Sequence, residues 1–154
     1  DVERSRGLGD VYKRQAQMFE GLIEFIESTV FGLINKITEQ QENGLSQVQA
    51  VVLMLLNFAE RNPGMTRVMI GDALVNEDER LQTRMNQFID RIELALKQSL
   101  RIAATQGQAN EAEIAVRANL IANTVLGHWQ RYAKTGFKQN PSEHASIQIA
   151  MLLA

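Results

Sequence analysis

Residues Gln17–Thr38 read QMFEGLIEFIESTVFGLINKIT. In this stretch Phe19, Leu22, Ile23, Ile26, Val30, Leu33, Ile34 and Ile37 recur at spacings of three and four, which gathers them into one stripe at about 100° per residue. That period specifies an amphipathic α-helix. One apolar residue breaks it. With the stripe set at Phe19, Phe25 falls near about 240°, outside the core-facing arc, and so should face sideways or outwards.

Working outward, the same logic repeats to the C-terminus. Asn43-Gly44 is a turn, and Ser46 is the expected N-cap of a second helix reaching Arg61. Asn62-Pro63-Gly64 stops it. A shorter helical stretch, Met65–Leu74, turns Val68 and Met69 inward and breaks near Val75-Asn76. Glu77 to about Thr105 is expected to be the longest helix, with Leu81, Met85, Phe88, Ile92, Leu96 and Leu100 on one face. Gln106-Gly107 ends it. Asn110 caps a fifth helix bearing Ile114, Ala118, Ile121, Val125, Trp129 and Tyr132, which stops at Gly136. Asn140-Pro141 opens a sixth, because proline suits the first helical position. No hairpin signal or internal repeat interrupts this series. The fold class is all-α.

The N-terminal fifteen positions, 1–15, stand apart from the domain expected over 16–154. They are rich in charge and in Gly/Ser breakers, and the periodicity begins only at Ala16. Ser5–Gln15, SRGLGDVYKRQ, resembles translated library-adapter sequence. A natural flexible arm is the other reading of this leader.

With 154 residues, 45% of them hydrophobic, the chain can form one domain with its own core. The absence of cysteine excludes disulfide scaffolds, zinc–thiolate sites and cysteine nucleophiles. The longest apolar run, Ala50–Leu56, is far short of the roughly 18 residues that span a bilayer. These features point to a cytoplasmic protein without membrane partners. A net charge of −2 gives no basic footprint for autonomous DNA binding.

Chemistry is sparse. His128 and His144 lie outside any recognisable catalytic motif, and His128 reads as a packing residue. The carboxylates of Glu77, Asp78 and Glu79 are explained by a helix N-terminus. No enzyme, cofactor or metal site is expected.

Surplus apolar surface is more informative. Val51–Leu56 is apolar on every side, so its helix is either covered by its neighbours or presents one face to a partner. If the first two helices pack antiparallel, Phe25 on one, with Met54 and Asn57 followed by Arg61 on the other, line a groove suited to an amphipathic or acidic peptide. Helices five and six offer a second surplus. Ile121, Val125, Leu126, Trp129, Ile149 and Leu152 would form a four-helix contact with a second copy, unless the last helix completes the monomer's core.

Three segments carry a family resemblance: Met18–Glu27 (MFEGLIEFIE), Phe58–Arg67 (FAERNPGMTR), and Asp78–Gln82 with Arg91–Glu93. With Arg131–Lys138 (RYAKTGFK) before Pro141, they are similar to the nucleoid-occlusion factors of the TetR superfamily. The ERNPGMTR run is the most specific part. The resemblance implies a homodimer that binds DNA through a helix-turn-helix, here expected to be missing and replaced by the leader. It also implies association with the nucleoid and binding of the C-terminal tail of the division protein FtsZ between the first two helices. Phe25, Arg61 and Asn62 match the groove residues so implied, Met54 replaces leucine, and Leu33 and Asn57 depart from an arginine and a glycine. The competing expectation is a TetR-type repressor with an apolar small-molecule pocket inside the bundle.

Overall fold

The computed structural model describes the backbone of residues 2–154 and the side chains from residue 6 onward. It contains six α-helices: α1 (Val2–Gln40), α2 (Gly44–Arg61), α3 (Pro63–Met69), α4 (Glu79–Thr105), α5 (Ile114–Lys134) and α6 (Ala145–Leu153). Single 3-10 turns at Asp72–Leu74 and Glu111–Glu113 lead into α4 and α5. No strand occurs among the described residues.

The bundle is organised around α2, which packs against every other α-helix. Its all-round apolar sequence follows from that position: Val48, Val51, Val52, Leu55, Leu56 and Ala59 are all buried. The predicted faces of α4 and α5 close on it, with Met85, Phe88, Ile92, Leu96, Ile121, Val125 and Trp129 in the same core. Trp129 also donates its indole N–H to the Leu55 carbonyl, 3.0 Å away, which satisfies the one polar group that a buried tryptophan carries. Gly44 permits the closest approach between α2 and α4. A Cβ there would lie 2.3 Å from the Ala103 nitrogen and 2.5 Å from the Ser99 carbonyl oxygen.

The short third helix starts at Pro63 and ends at Met69 instead of running from Met65 to Leu74, and four further boundaries differ from the sequence reading, each for a local reason. The first helix begins at Val2 and not at Gln17, which makes α1, at 39 residues, longer than α4 at 27. The leader contains no proline, and isolated glycines such as Gly7 and Gly9 weaken a helix without ending it. Residues 6–15 are all exposed, so the change of composition at Ala16 marks where the helix begins to be covered. Asp1 lies outside the described residues. At the second helix, Asn43 and not Ser46 is the cap: its side-chain oxygen accepts from the Ser46 N–H at 3.0 Å. The fourth helix starts at Glu79 instead of Glu77, because Asp78 caps it and accepts from the Arg80 N–H. The hydrogen-bonded guanidinium of Arg80 holds the Asp78 carboxyl below its usual value.

The fourth difference is at α6, which starts at Ala145, after a turn over residues 141–144. The Glu60 carboxylate accepts from both the Ser142 N–H (2.7 Å) and its hydroxyl (2.5 Å). This tertiary contact holds the chain in turns closed by Glu143 N–H to Asn140 and Ala145 N–H to Ser142.

Candidate functional site: the open flanks of the bundle

The helices on which Phe25 and Arg61 lie, α1 and α2, form an antiparallel pair joined by only Gln41, Glu42 and Asn43. Around α1 at about 100° per residue, Ile23, Ile26 and Val30 point into the core. Glu27, Phe31 and Ile34 turn toward α4: Glu27 pairs with Arg84 at 2.8 Å, and Phe31 meets Phe88 edge-on at 5.6 Å. Leu22, Thr29 and Leu33 therefore occupy the other flank, the one that borders α2. Phe25 lies at its outer edge and is 52% exposed.

The matching flank of α2 carries Leu53, Met54, Asn57 and Arg61. Leu53 and Arg61 are exposed, while Met54 and Asn57 are half-buried. Counting about 1.5 Å per residue from the turn, Phe25 stands level with Asn57–Arg61, and Leu33 with the stretch before Leu53. Phe25 and Leu33 thus share one side of α1, and Leu53, Met54, Asn57 and Arg61 one side of α2. Leu53 is the member that the sequence reading lacked, because inside an all-apolar run periodicity cannot distinguish a solvent-facing leucine from a core one.

Arg61 makes no ion pair among the described residues, yet the backbone beneath it is tightly held. The Asn62 amide donates to the Phe58 carbonyl at 2.8 Å, and the Thr66 hydroxyl donates to the Ala59 and Asn62 carbonyls. Tyr132 donates to the Glu60 carbonyl at 2.9 Å. Asn62 thus serves the α2–α3 joint. A long cation on a fixed base, at the end of a partly apolar trough, suits a peptide carboxylate beside an apolar anchor.

The second open face is formed by α5 and α6. Arg117 joins them, donating to the Leu152 carbonyl at 2.7 Å and to Glu113 at 2.9 Å, and His128 bonds Gln148 at 2.7 Å. Between them runs a concavity of about 720 Å³ lined by Val116, Leu120, Thr124, His128, Met151 and Leu152, among others. Val116 and Met151 are each 73% exposed.

This placement corrects the expected dimer residues. Ile121, Val125, Trp129 and Ile149 are buried in the chain's own core, so they cannot also form the outer contact. Leu126 is half-buried beside α3 and α4. Of the six, only Leu152 lines the open face. The last helix both completes the monomer through Ala145 and Ile149 and exposes Ile147 and Met151 on its other side. Val116 escaped the sequence reading because it stands alone off the fifth helix's main stripe.

The competing expectation of a central ligand pocket calls for buried polar groups free to hold a ligand. The buried polar side chains among the described residues, Gln47, Thr66 and Ser99, are engaged within the fold. Ser99 donates to Gln47 at 2.8 Å, Gln47 to the Gln41 carbonyl at 2.7 Å, and Thr66 to Ala59 at 2.9 Å. None is left to orient a ligand. No helix is long and apolar enough to cross a membrane among the described residues.

Comparison with known proteins decides the family. A family model described as the tetracyclin repressor-like C-terminal domain, SlmA-like, matches residues 42–154. The chain is 45% identical over 138 residues to the nucleoid occlusion factor SlmA of Idiomarina loihiensis, which covers 89% of this chain and 70% of that protein. The chain belongs to the SlmA family. Its similarity to the SlmA of Aliivibrio fischeri is 41% over 144 residues, or 93% of this chain and 74% of that protein. For the Shewanella amazonensis SlmA it is 42% over 138 residues. This is a family of TetR-like regulators, as the ERNPGMTR segment and the all-α architecture led us to expect.

Proposed function

We propose that this chain is the regulatory and dimerising part of a DNA-associated nucleoid occlusion factor, and that it restrains cell division by binding the C-terminal tail of FtsZ along the α1–α2 seam. The observation that supports this reading is a half-exposed Phe25 on α1, with Arg61 at the end of α2 making no ion pair among the described residues, in a SlmA-family chain. Phe25, Leu33 and Met54 would take apolar side chains of the tail, and Arg61 a carboxylate. Asn57 narrows the trough near Phe25.

Fluorescence anisotropy with a labelled FtsZ tail peptide tests this directly. Phe25→Ala and Arg61→Asp should each cost about 2 kcal/mol, roughly thirtyfold in affinity, as for the loss of an interface anchor. Helicity and assembly state should be unchanged, since both side chains are exposed and neither lines the concavity between α5 and α6. Unchanged affinity in both variants would refute the assignment.

We further propose that two copies associate through the α5–α6 face, with Leu120, Ile147, Met151 and Leu152 at the contact. Contiguous apolar residues this exposed are unusual on a monomer's surface. A carboxylate buried there without a partner would disfavour association, so Met151→Glu and Leu120→Glu should each weaken it by at least tenfold in sedimentation experiments. Phe25→Ala should not. A wild-type chain that remains monomeric at micromolar concentration would overturn the proposal.

A further inference from the structure

We propose that the furrow between α1 and α4, on the flank of α1 away from Phe25, docks a second peptide: an extended segment with apolar side chains at alternate positions and a carboxylate at one end. The furrow encloses about 350 Å³. Its floor is made by Gln47 and Ser99, both buried and bonded to each other, with the Gln47 amide also donating to the Gln41 carbonyl. The floor therefore requires no further polar partner. Recognition falls to the walls.

Those walls hold three kinds of group. Leu94 and Ile102, from α4, leave apolar surface open to solvent beside Phe31 and Ile34. Asn35 on α1 and Gln98 on α4 line opposite walls, and neither side-chain amide is engaged by another side chain among the described residues. Paired amides of this kind can bond the N–H and C=O groups of an extended backbone. Among the described residues Arg91 is the only charged side chain lining the furrow; its guanidinium lies 3.7 Å above the Phe31 ring and makes no ion pair with any of them. Stacking on Phe31 orients the planar fork for a carboxylate.

Charge and length select the occupant. One cation is too few for a polyanion such as nucleic acid, whose binding scales with the number of phosphates neutralised. From Arg91 to Ile102 the wall rises about 16 Å, the reach of roughly five residues in an extended strand. The charge at one end then sets the direction in which the segment lies.

The test uses the intact chain and a pool of fluorescein-labelled hexapeptides, with alternate positions drawn from valine, leucine, isoleucine and phenylalanine and an aspartate at the C-terminus. A matching pool ends in an amidated lysine. Members of the acidic pool should bind saturably and shift the NMR methyl signals of Leu94 and Ile102, while their lysine counterparts bind at least tenfold more weakly. Arg91→Gln and Leu94→Asp, both at exposed positions, should each reduce affinity at least tenfold, with the thermal transition retained as a check on folding. Phe25→Ala should leave this binding unchanged, which separates it from the FtsZ-tail reading. Equal binding of the two pools, shifts centred on Phe25 and Arg61, or no saturable binding would each overturn the proposal.

Discussion

Trp129→Ala should unfold this protein far more readily without acting on assembly, lowering stability by about 3–5 kcal/mol, the range for a large aromatic removed from a core. The indole is fully buried between α5 and α2, and its N–H reaches the Leu55 carbonyl across that contact. Both terms are lost in the alanine variant. Trp129→Phe keeps much of the packing and loses the hydrogen bond, so it should be the milder change, by about 1–2 kcal/mol. For a domain of this size each kcal/mol moves the melting temperature by about 2–4 °C, so the alanine variant should melt about 6–20 °C below wild type. Urea unfolding at two protein concentrations separates this from an interface effect, because a core loss persists at both. If Trp129→Ala dissociated copies while leaving subunit stability intact, the tryptophan would belong to the contact between subunits and the core described above would be wrong.

Gly44→Ala is the second large effect, and here two opposing terms must be compared. In a solvent-exposed helix alanine is favoured over glycine by up to about 1 kcal/mol. At Gly44, however, the new methyl meets the Ala103 backbone at 2.3 Å and the Ser99 carbonyl at 2.5 Å. No rotamer change relieves a clash with backbone, so α2 and α4 must separate. The Gly44 N–H, bonded at 2.9 Å to Gln106, is drawn away with them. Overpacking of this kind costs about 1–3 kcal/mol, and rigid backbone on the other side puts Gly44→Ala at the upper end. Gly21→Ala is the internal control: that glycine is in α1 with no atom near a new Cβ, so the propensity term should act alone and stabilise by about 0.5–1 kcal/mol. Thermal melts of the two variants should shift in opposite directions. Two shifts of the same sign would mean that the α2–α4 approach is looser than described.

The exposure of Phe25 was legible from period alone. Phe25 lies off the stripe of its helix because six residues after Phe19 do not bring the chain back to the same face, and it is exposed for that reason. Arg61 stands out because it precedes the Asn62-Pro63 stop, which leaves a cation at a helix C-terminus. The furrow holding Arg91 could not be read in this way. It combines residues from α1, α2 and α4 that are up to about seventy positions apart, and a period describes one helix at a time.

The division between sequence and tertiary structure is clearest at helices two, five and six. Local pattern determined that this chain is all-α, where most helices end, and which residues of α4 and α5 face inward, because a 3.6-residue repeat and the turn chemistry of Asn, Gly and Pro act over a few positions. It also carried the family, through the short ERNPGMTR run. Tertiary packing decided the rest. Val125 and Trp129 belong to the monomer core and Val116 and Met151 to its surface, although all four are apolar, because burial depends on which neighbouring helix arrives and hydrophobicity alone does not name that neighbour. The start of α6 was likewise decided by Glu60, more than eighty residues away from Ser142 in the chain; a carboxylate that captures a backbone N–H through space overrides the local signal of Asn140-Pro141.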